Sequence, residues 1–409
     1  MTATAPPTAS TASTEPMPAP AGAPGIPLVP TDEERLIRQT VAALVGRYGH
    51  EYYQRCSESG EPMSDLWRDL ADAGFLGLTV PEEYGGSGAG LTQLAVVLEE
   101  LSTGGCPELA MVLCQGMGVP IIARHGSPEQ KERFLPAIAD GTEKFVFALT
   151  EPDAGSNSHN VSTTARLDGD EWVVRGTKYY ISGVDHCTHF LLVARTGTDE
   201  VSGRGRLTLF VVDRDVPGLT RQLLPTALRA PERQFTLFFD DVRLPADSVV
   251  GEVHGGLAAV FDGLNPERVL SAVICTGVAR YALQRAVRYT RERNVWGVPI
   301  AVHQAVQHPL AAAHVEVEAA RTMAFRAAAL FDAGLPAGDV SNMSKYLAAK
   351  AGMKALDTAI QVHGGNGLAD EYGLADLWSI VRLQQIAPVS NEMVLNHVAQ
   401  HALGLPRSY

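Results

Sequence analysis

What this chain lacks narrows its roles before any motif is read. Cations are in deficit: 33 lysines and arginines against 46 aspartates and glutamates leave a net charge of −13. That balance excludes sequence-independent nucleic-acid binding, which needs a basic surface. Cysteine is scarce, and Cys56, Cys106, Cys114, Cys187 and Cys275 are odd in number, scattered and never spaced as CxxC. Buried thiols in a reducing cytoplasm are expected, with no disulfide framework. His254, His303 and His363 share no helical face, so no metal is expected. No apolar run approaches the roughly 20 residues that cross a bilayer. Residues 1–30 are Ala, Thr, Pro and Ser with almost nothing to bury, and no basic residue precedes Arg35. They read as a disordered tail without the marks of a secretory signal or transit peptide, and a cytoplasmic location is expected.

Three compositional regimes follow, at residues 31–145, 146–250 and 251–409. The first is helical. TDEERLIRQTVAALVGRYG sets a Thr/Asp cap and an acidic first turn before apolar residues at helical spacing. HGSPEQKERFLPAIADG repeats the device, with Ser127 as N-cap and Pro128 at the first helical position. PEEYGGSGAGL is a loop; no strand precedes its glycines and their spacing is not G-x-G-x-x-G, which excludes a dinucleotide fingerprint. In the second regime the apolar period drops to two. ARLDGDEWVVRGTKYYISG, FLLVAR, RLTLFVVD and QFTLFFDDVRL are short β runs, and a small antiparallel β domain is expected. The third regime returns to helices, in three long patterns each with one apolar stripe. The fold class is α+β multidomain.

Three segments suggest chemistry, each ambiguous alone. FALTEPDAGSN offers hydroxyls and free N–H groups for a polar or anionic cofactor, but a Gly/Ser/Thr loop is more often a plain turn. RERNVWGVPIAVHQAVQ puts Arg293, Trp296 and Gln304 at a helix end, where arginine is favoured anyway. QVHGGNGLADEYG breaks a helix with three close glycines, as an ordinary helix stop or as backbone packed on a ligand.

Together, in this order, the segments resemble the acyl-CoA dehydrogenase family of FAD flavoproteins. The resemblance runs from about residue 31 to the C-terminus through LADAGFLGLTVPEEYGGSG, LTEPDAGSN, DDVRLPADSVVG, RERNVWGVPI and QVHGGNG. It implies an α-helical N-terminal domain, a middle β barrel and a C-terminal four-helix bundle, as a dimer or dimer of dimers. It places Phe147, Leu149 and Thr150 on the isoalloxazine, with Gly155 and Ser156 nearby on the cofactor and substrate side. Tyr180, Ile181 and Ser182 would cover its other face. Arg293, Trp296, Gln304, Gln361, Gly364 and Gly365 would hold the FAD of a neighbouring subunit, and Ser390 and Glu392 the FAD of their own. The implied substrate is an acyl-CoA or acyl-carrier-protein thioester, and the implied acceptor an electron-transfer flavoprotein.

The family's glutamate base commonly falls where this chain has Pro388, in QQIAPVSNEMVLNHV. Proline has neither a proton acceptor nor a backbone N–H. In the isovaleryl-CoA and long-chain branches the base sits instead on the first helix of the C-terminal domain. Here that segment reads FDGLNPERVLSAV, and the 25-residue spacing of Arg268 and Arg293 matches the family, so Glu267 takes the alternative position. Asn265 is expected as N-cap, Pro266 as first helical residue and Glu267 near the positive helix end, where an acidic residue also needs no catalytic reason. Arg268 would be a structural partner or touch the substrate. Two other readings stand beside the dehydrogenase: a flavin-dependent oxygenase on the same scaffold, and a non-catalytic flavoprotein that has lost its base.

Overall fold

The computed structural model describes residues 29–407 apart from residue 202, so the expected tail lies almost wholly outside the described residues. The first part is helical: α1 (Asp32–Val45), α2 (Gly49–Ser59), α3 (Ser64–Asp72), α4 (Leu91–Thr103), α5 (Leu109–Met111), α6 (Val119–His125) and α7 (Pro128–Ala139). The expected starts are present. Thr31 and Glu34 form a reciprocal capping box on α1, and Ser127 does the same with Gln130 ahead of Pro128 on α7. α5 and α6 are joined by a π-helical segment, Val112–Gly118. A Cβ at Gly116 would lie 2.4 Å from Leu270 Cδ1, so this glycine sets how closely the first helix of the C-terminal part approaches.

The β domain comprises β1 (Phe145–Ala148), β2 (Thr164–Asp168), β3 (Glu171–Ser182), β4 (His189–Thr198), β5 (Gly205–Asp213), β6 (Leu219–Leu223), β7 (Gln234–Pro245) and β8 (Val249–Val250). The strands lie in the order β6-β7-β3-β2-β4-β5-β8, with β1 on β4. Hairpin-linked ladders are antiparallel as expected, but β1 runs parallel to β4, and β2 meets β4 in parallel at Thr164–Arg195. The β2–β3 hairpin separates β1 from β4 in the chain, a connection long enough for parallel neighbours. β4 is buried on both faces. Phe190, Leu192 and Ala194 fill the β core while Leu191 and Val193 join the helical core. That is why FLLVA reads as an unbroken apolar run.

The C-terminal part has three long helices, α8 (Gly256–Glu292), α9 (Gln304–Asp332) and α10 (Gly338–His363). A two-stranded hairpin, β9 (Asn294–Val295) and β10 (Val298–Pro299), links the first two. Two short helices, α11 (Trp378–Leu383) and α12 (Asn391–His397), pack on α10 in place of a fourth long one. One expectation fails here. α8 begins at Gly256 after Gly255, so Asn265 and Pro266 lie inside the helix and neither starts it. The buried residues Gly256, Ala259, Val260 and Gly263 already form a helical stripe, and their packing outweighs the break that Pro266 makes in the ladder.

α4 is buried on nearly every side and carries Glu99, whose side chain is wholly buried. Its carboxylate accepts from Arg38 on α1 (2.8 Å), Arg321 on α9 (2.7 and 3.0 Å) and Thr276 on α8 (2.9 Å), with Arg280 of α8 at 3.4 Å. Burial alone would raise its pKa, but the hydrogen bonds and charge of Arg321, then the charges of Arg280 and Arg38, hold it at about 2 against an ordinary 4.5. This depressed carboxyl stabilises the fold fully above pH 4.5 and ceases to do so as pH falls through about 2. Glu99→Leu takes one carboxylate from three arginines, leaving Arg38 and Arg280 to Glu100 and Arg321 to Glu318, and is expected to destabilise by about 3 kcal/mol, read by urea unfolding at neutral pH. The loss should shrink when both proteins are unfolded near pH 3; an unchanged difference would show that the ion pairs contribute nothing.

Candidate active site

Glu267 lies about three turns into α8, half-buried, and its carboxylate makes no hydrogen bond among the described residues. Burial pushes its pKa up to about 7, with the charges of Arg268 and then Lys345 pulling it the other way. The helix end contributes nothing, because α8 starts two turns and more before it. Arg268 donates from Nη1 to Asn265 Oδ1 at 2.9 Å, so the residue expected as a cap instead anchors the guanidinium. Arg268 Nε is buried without a partner, and burial lowers the arginine's pKa against the charge of Glu267. Lys345, buried on α10, donates to the Val389 carbonyl and to Asn391 Oδ1. Burial lowers its pKa to about 8. Tyr289 of α8 stacks on His363 of α10, and a Cβ at Gly352 would lie 3.2 Å from Cys275 Cβ, so the two helices run side by side and Lys345 falls level with Arg268.

A second set of residues gathers where β1 meets β3. Phe147, Leu149, Thr150 and Ser182 are half-buried, and Gly155 and Ser156 are exposed on the following loop. Between Lys178 and Ile181 β3 carries one residue more than β7 opposite, a bulge. Tyr180 sits in it at φ +58° and is 54% exposed, while its neighbour Ile181 turns into the β core. Ile181 can therefore offer a cofactor only its backbone. Behind this wall Lys178 and Glu151 form a fully buried ion pair at 2.8 Å. Lys178 also donates to the Leu149 carbonyl at 2.9 Å, and Glu151 accepts from the N–H groups of Ser162 and Thr163. Burial would raise Glu151, but the charge and hydrogen bond of Lys178 hold it at about 2; burial lowers Lys178 to about 8. The pair is thus ionised at neutral pH and fixes the backbone on either side of Thr150.

The third set is remote. α8 continues for 25 residues beyond Glu267 to Glu292, a rise of about 38 Å. Past its end, Trp296 and Gly297 are the two central residues of the β9–β10 turn, both at positive φ (+52° and +83°). Such a turn suits the twist of the flanking strands, but a tryptophan there is strained, and this one is 90% exposed. Arg293, Gln304, Gln361, Gly364, Gly365 and, near the other site, Glu392 are also exposed. Ser390 caps α12, accepting from the Met393 N–H.

Family models for the acyl-CoA dehydrogenase N-terminal, middle and C-terminal domains match residues 31–142, 146–242 and 254–403. The chain belongs to the acyl-CoA dehydrogenase family. It is 48% identical to acyl-CoA dehydrogenase FadE12 of Mycobacterium tuberculosis, over 93% of this chain and 98% of that one. The glutaryl-coenzyme A dehydrogenase–glutaryl-CoA complex superposes with a TM-score of 0.86 at 29% identity, covering 93% and 97% of the two chains. A glutaryl-CoA dehydrogenase from Mycobacterium smegmatis in complex with FADH2 does so with 0.86 at 26%, covering 93% and 97%.

An acyl-CoA dehydrogenase uses FAD, and the residues here fit it. Tyr180 leaves an aromatic face exposed, and Thr150, whose carbonyl accepts from the Tyr179 N–H at 2.8 Å, brings a hydroxyl to the same stretch, while the Ser182 hydroxyl is held by Gln234. No helix among the described residues is long and apolar enough to cross a membrane, and no acidic, histidine or cysteine cluster there could hold a metal ion. A cavity of about 340 Å³ between the two helical parts is lined by Thr79, Leu91, Gln115, Pro266 and Phe331 among others, but Glu267 is not in its wall. Sequence reading missed Lys178, Glu151 and Lys345. A charged residue inside an alternating or apolar stripe was the available signal, since such residues are almost never fully buried unless paired. Lys178→Met leaves Glu151 buried and unpaired and should cost about 3–5 kcal/mol in urea unfolding and deplete the purified protein of FAD. The double change with Glu151→Gln should recover part of that loss; a double variant no more stable than Lys178→Met would disprove the coupling.

Proposed function

We propose that Glu267 is the general base of FAD-dependent acyl-thioester dehydrogenation in this chain. The observation that carries the reading is a half-buried carboxylate on α8, next to Arg268 and free of hydrogen-bond partners among the described residues; its burial pushes the pKa up to about 7. A paired carboxylate would be too weak a base for a C–H bond, and an exposed one too readily solvated; burial tunes it to working pH. Glu267 takes the α proton of the acyl chain. FAD, when bound against Thr150 and Tyr180, would supply the two-electron acceptor for the β hydrogen, so that loss of both hydrogens yields a 2-enoyl thioester. Arg268 and Lys345 keep Glu267 ionised in part near neutrality despite its burial. Tyr180 and Thr150 orient the ring and exclude water from the reacting carbons, with Ser182, tied to Gln234, as part of the backbone that supports them.

The substrate is an acyl-CoA or the equivalent acyl-carrier thioester, and the electrons pass to an electron-transfer flavoprotein or similar acceptor. The separation along α8 supports a shared site: Arg293, Trp296, Gln304, Gln361, Gly364 and Gly365 lie too far from Glu267 to serve the same ring. They would complete the FAD site of a second copy, making the protein a homo-oligomer, a dimer or dimer of dimers. The tuned carboxyl favours the dehydrogenase over a non-catalytic flavoprotein. The oxygenase reading would need rapid oxygen consumption by reduced flavin without an acyl substrate.

Glu267→Gln is expected to retain FAD and lose flavin bleaching in anaerobic titration with acyl thioesters, by about 10²–10⁴ in rate. Normal turnover in that variant would remove Glu267 from the mechanism. Because the base acts ionised, kcat/KM of the native enzyme should rise with pH and level off above about 7; a flat profile from pH 5 to 9 would count against the tuned carboxyl.

A further inference from the structure

The turn in which Pro388 stands is held by a buried cation. Lys345 is 1% exposed, and its ammonium donates to the Val389 carbonyl and, at 3.2 Å, to Asn391 Oδ1. The Asn391 N–H in turn donates to the Gln385 carbonyl at 3.0 Å. Between these ties the N–H groups of Val389 and Ser390 make no hydrogen bond among the described residues. The Ala387–Pro388 peptide is cis and Val389–Ser390 is trans. A trans peptide sets its C=O and N–H on opposite edges. With the Val389 carbonyl drawn inward to an ammonium buried among the helices, the Ser390 N–H faces outward, to the accessible side of the turn. Tyr289 stacks on His363 at 4.2 Å and a Cβ at Gly352 would lie 3.2 Å from Cys275 Cβ, so α8 and α10 run side by side in one direction. Lys345 therefore falls level with Glu267 and Arg268, which brings the turn to the proposed base's stretch of α8.

Removing an α proton puts charge on the thioester oxygen, and a donor aimed at that oxygen is what lowers the barrier. Pro388 has no N–H to give. We propose that Lys345 is a positioning residue that, by holding the Val389 carbonyl, presents the Ser390 N–H as the donor polarising the thioester oxygen. This rests on the acyl-thioester reading of the site and adds the group that compensates for Pro388.

The test uses the FAD-loaded protein, with crotonyl-CoA as the bound probe. The infrared stretching frequency of its carbonyl falls as the oxygen is polarised. Ser390 has φ −64°, a value proline adopts, so Ser390→Pro removes the N–H without forcing that angle. Ser390→Ala removes the hydroxyl that caps α12 and keeps the N–H. The lowered frequency should persist in Ser390→Ala and Glu267→Gln and return towards that of free crotonyl-CoA in Ser390→Pro and Lys345→Met. kcat of the last two should fall by about 10²–10³, with KM much less affected, and Lys345→Arg should recover part of the shift. A wild-type frequency in Ser390→Pro overturns the assignment, and it decides the matter even where Lys345→Met fails to fold. A purely structural lysine would lower the melting temperature and leave the probe's frequency unmoved. Failure of every acyl thioester to bleach the native flavin would sink the dehydrogenase reading; bleaching with an unshifted carbonyl would sink only the Ser390 donor.

Discussion

One buried carboxylate fixes the frame on which the chemistry rests. Glu99 sits on a helix with no exposed face to speak of, and α1, α8 and α9 each bring an arginine to it. Its neighbour Glu100 takes Arg38 and Arg280 as well. A desolvated charge tolerates no slippage, because any displacement leaves ionic groups unpaired in a medium that solvates them poorly. Apolar packing alone would let α8 slide with modest loss; the arginine cluster gives it a single axial register. Gly116, by admitting Leu270, then fixes how near α8 lies to the π-helical segment.

Within that frame Glu267 owes its raised pKa to burial, the cause expected of a carboxyl set against a flavin and an acyl chain. The sequence invites a helix-start account, with Asn265, Pro266 and Glu267 as cap, first residue and dipole-stabilised acid. A dipole would favour the anion and lower the pKa. The structure removes the dipole and leaves burial, which does the opposite. The residue remains a candidate and burial remains the cause; what changes is its place in the helix, because with α8 beginning at Gly256 no helix-start dipole opposes that burial.

Much of the architecture was legible because it is written in short-range signals. The capping residues Thr31 and Ser127, the shift from period 3.6 to period 2 near residue 146, and the Trp296–Gly297 turn are all local. Family motifs pointed to Phe147, Leu149, Thr150 and Tyr180, the residues proposed as the flavin wall. Tertiary packing was not local and was missed. The start of α8 is decided by what Ala259 and Val260 touch, β1 joins β4 across an intervening hairpin, and Lys178 and Lys345 are buried only because their partners come from loops distant in the chain. Ile181 shows the same limit: one extra residue in β3 sends Tyr180 out and Ile181 in, and no alternation count reveals a bulge.

The length of α8 has a mechanical consequence. An α-helix is stiff along its axis, and this one carries Glu267 near one end and the Trp296 hairpin just past the other. Whatever grips that hairpin is therefore coupled through a rigid rod to the carboxyl, and in an assembly where the hairpin of one copy seats a neighbour's flavin, the working distances in two active centres are not independent tolerances.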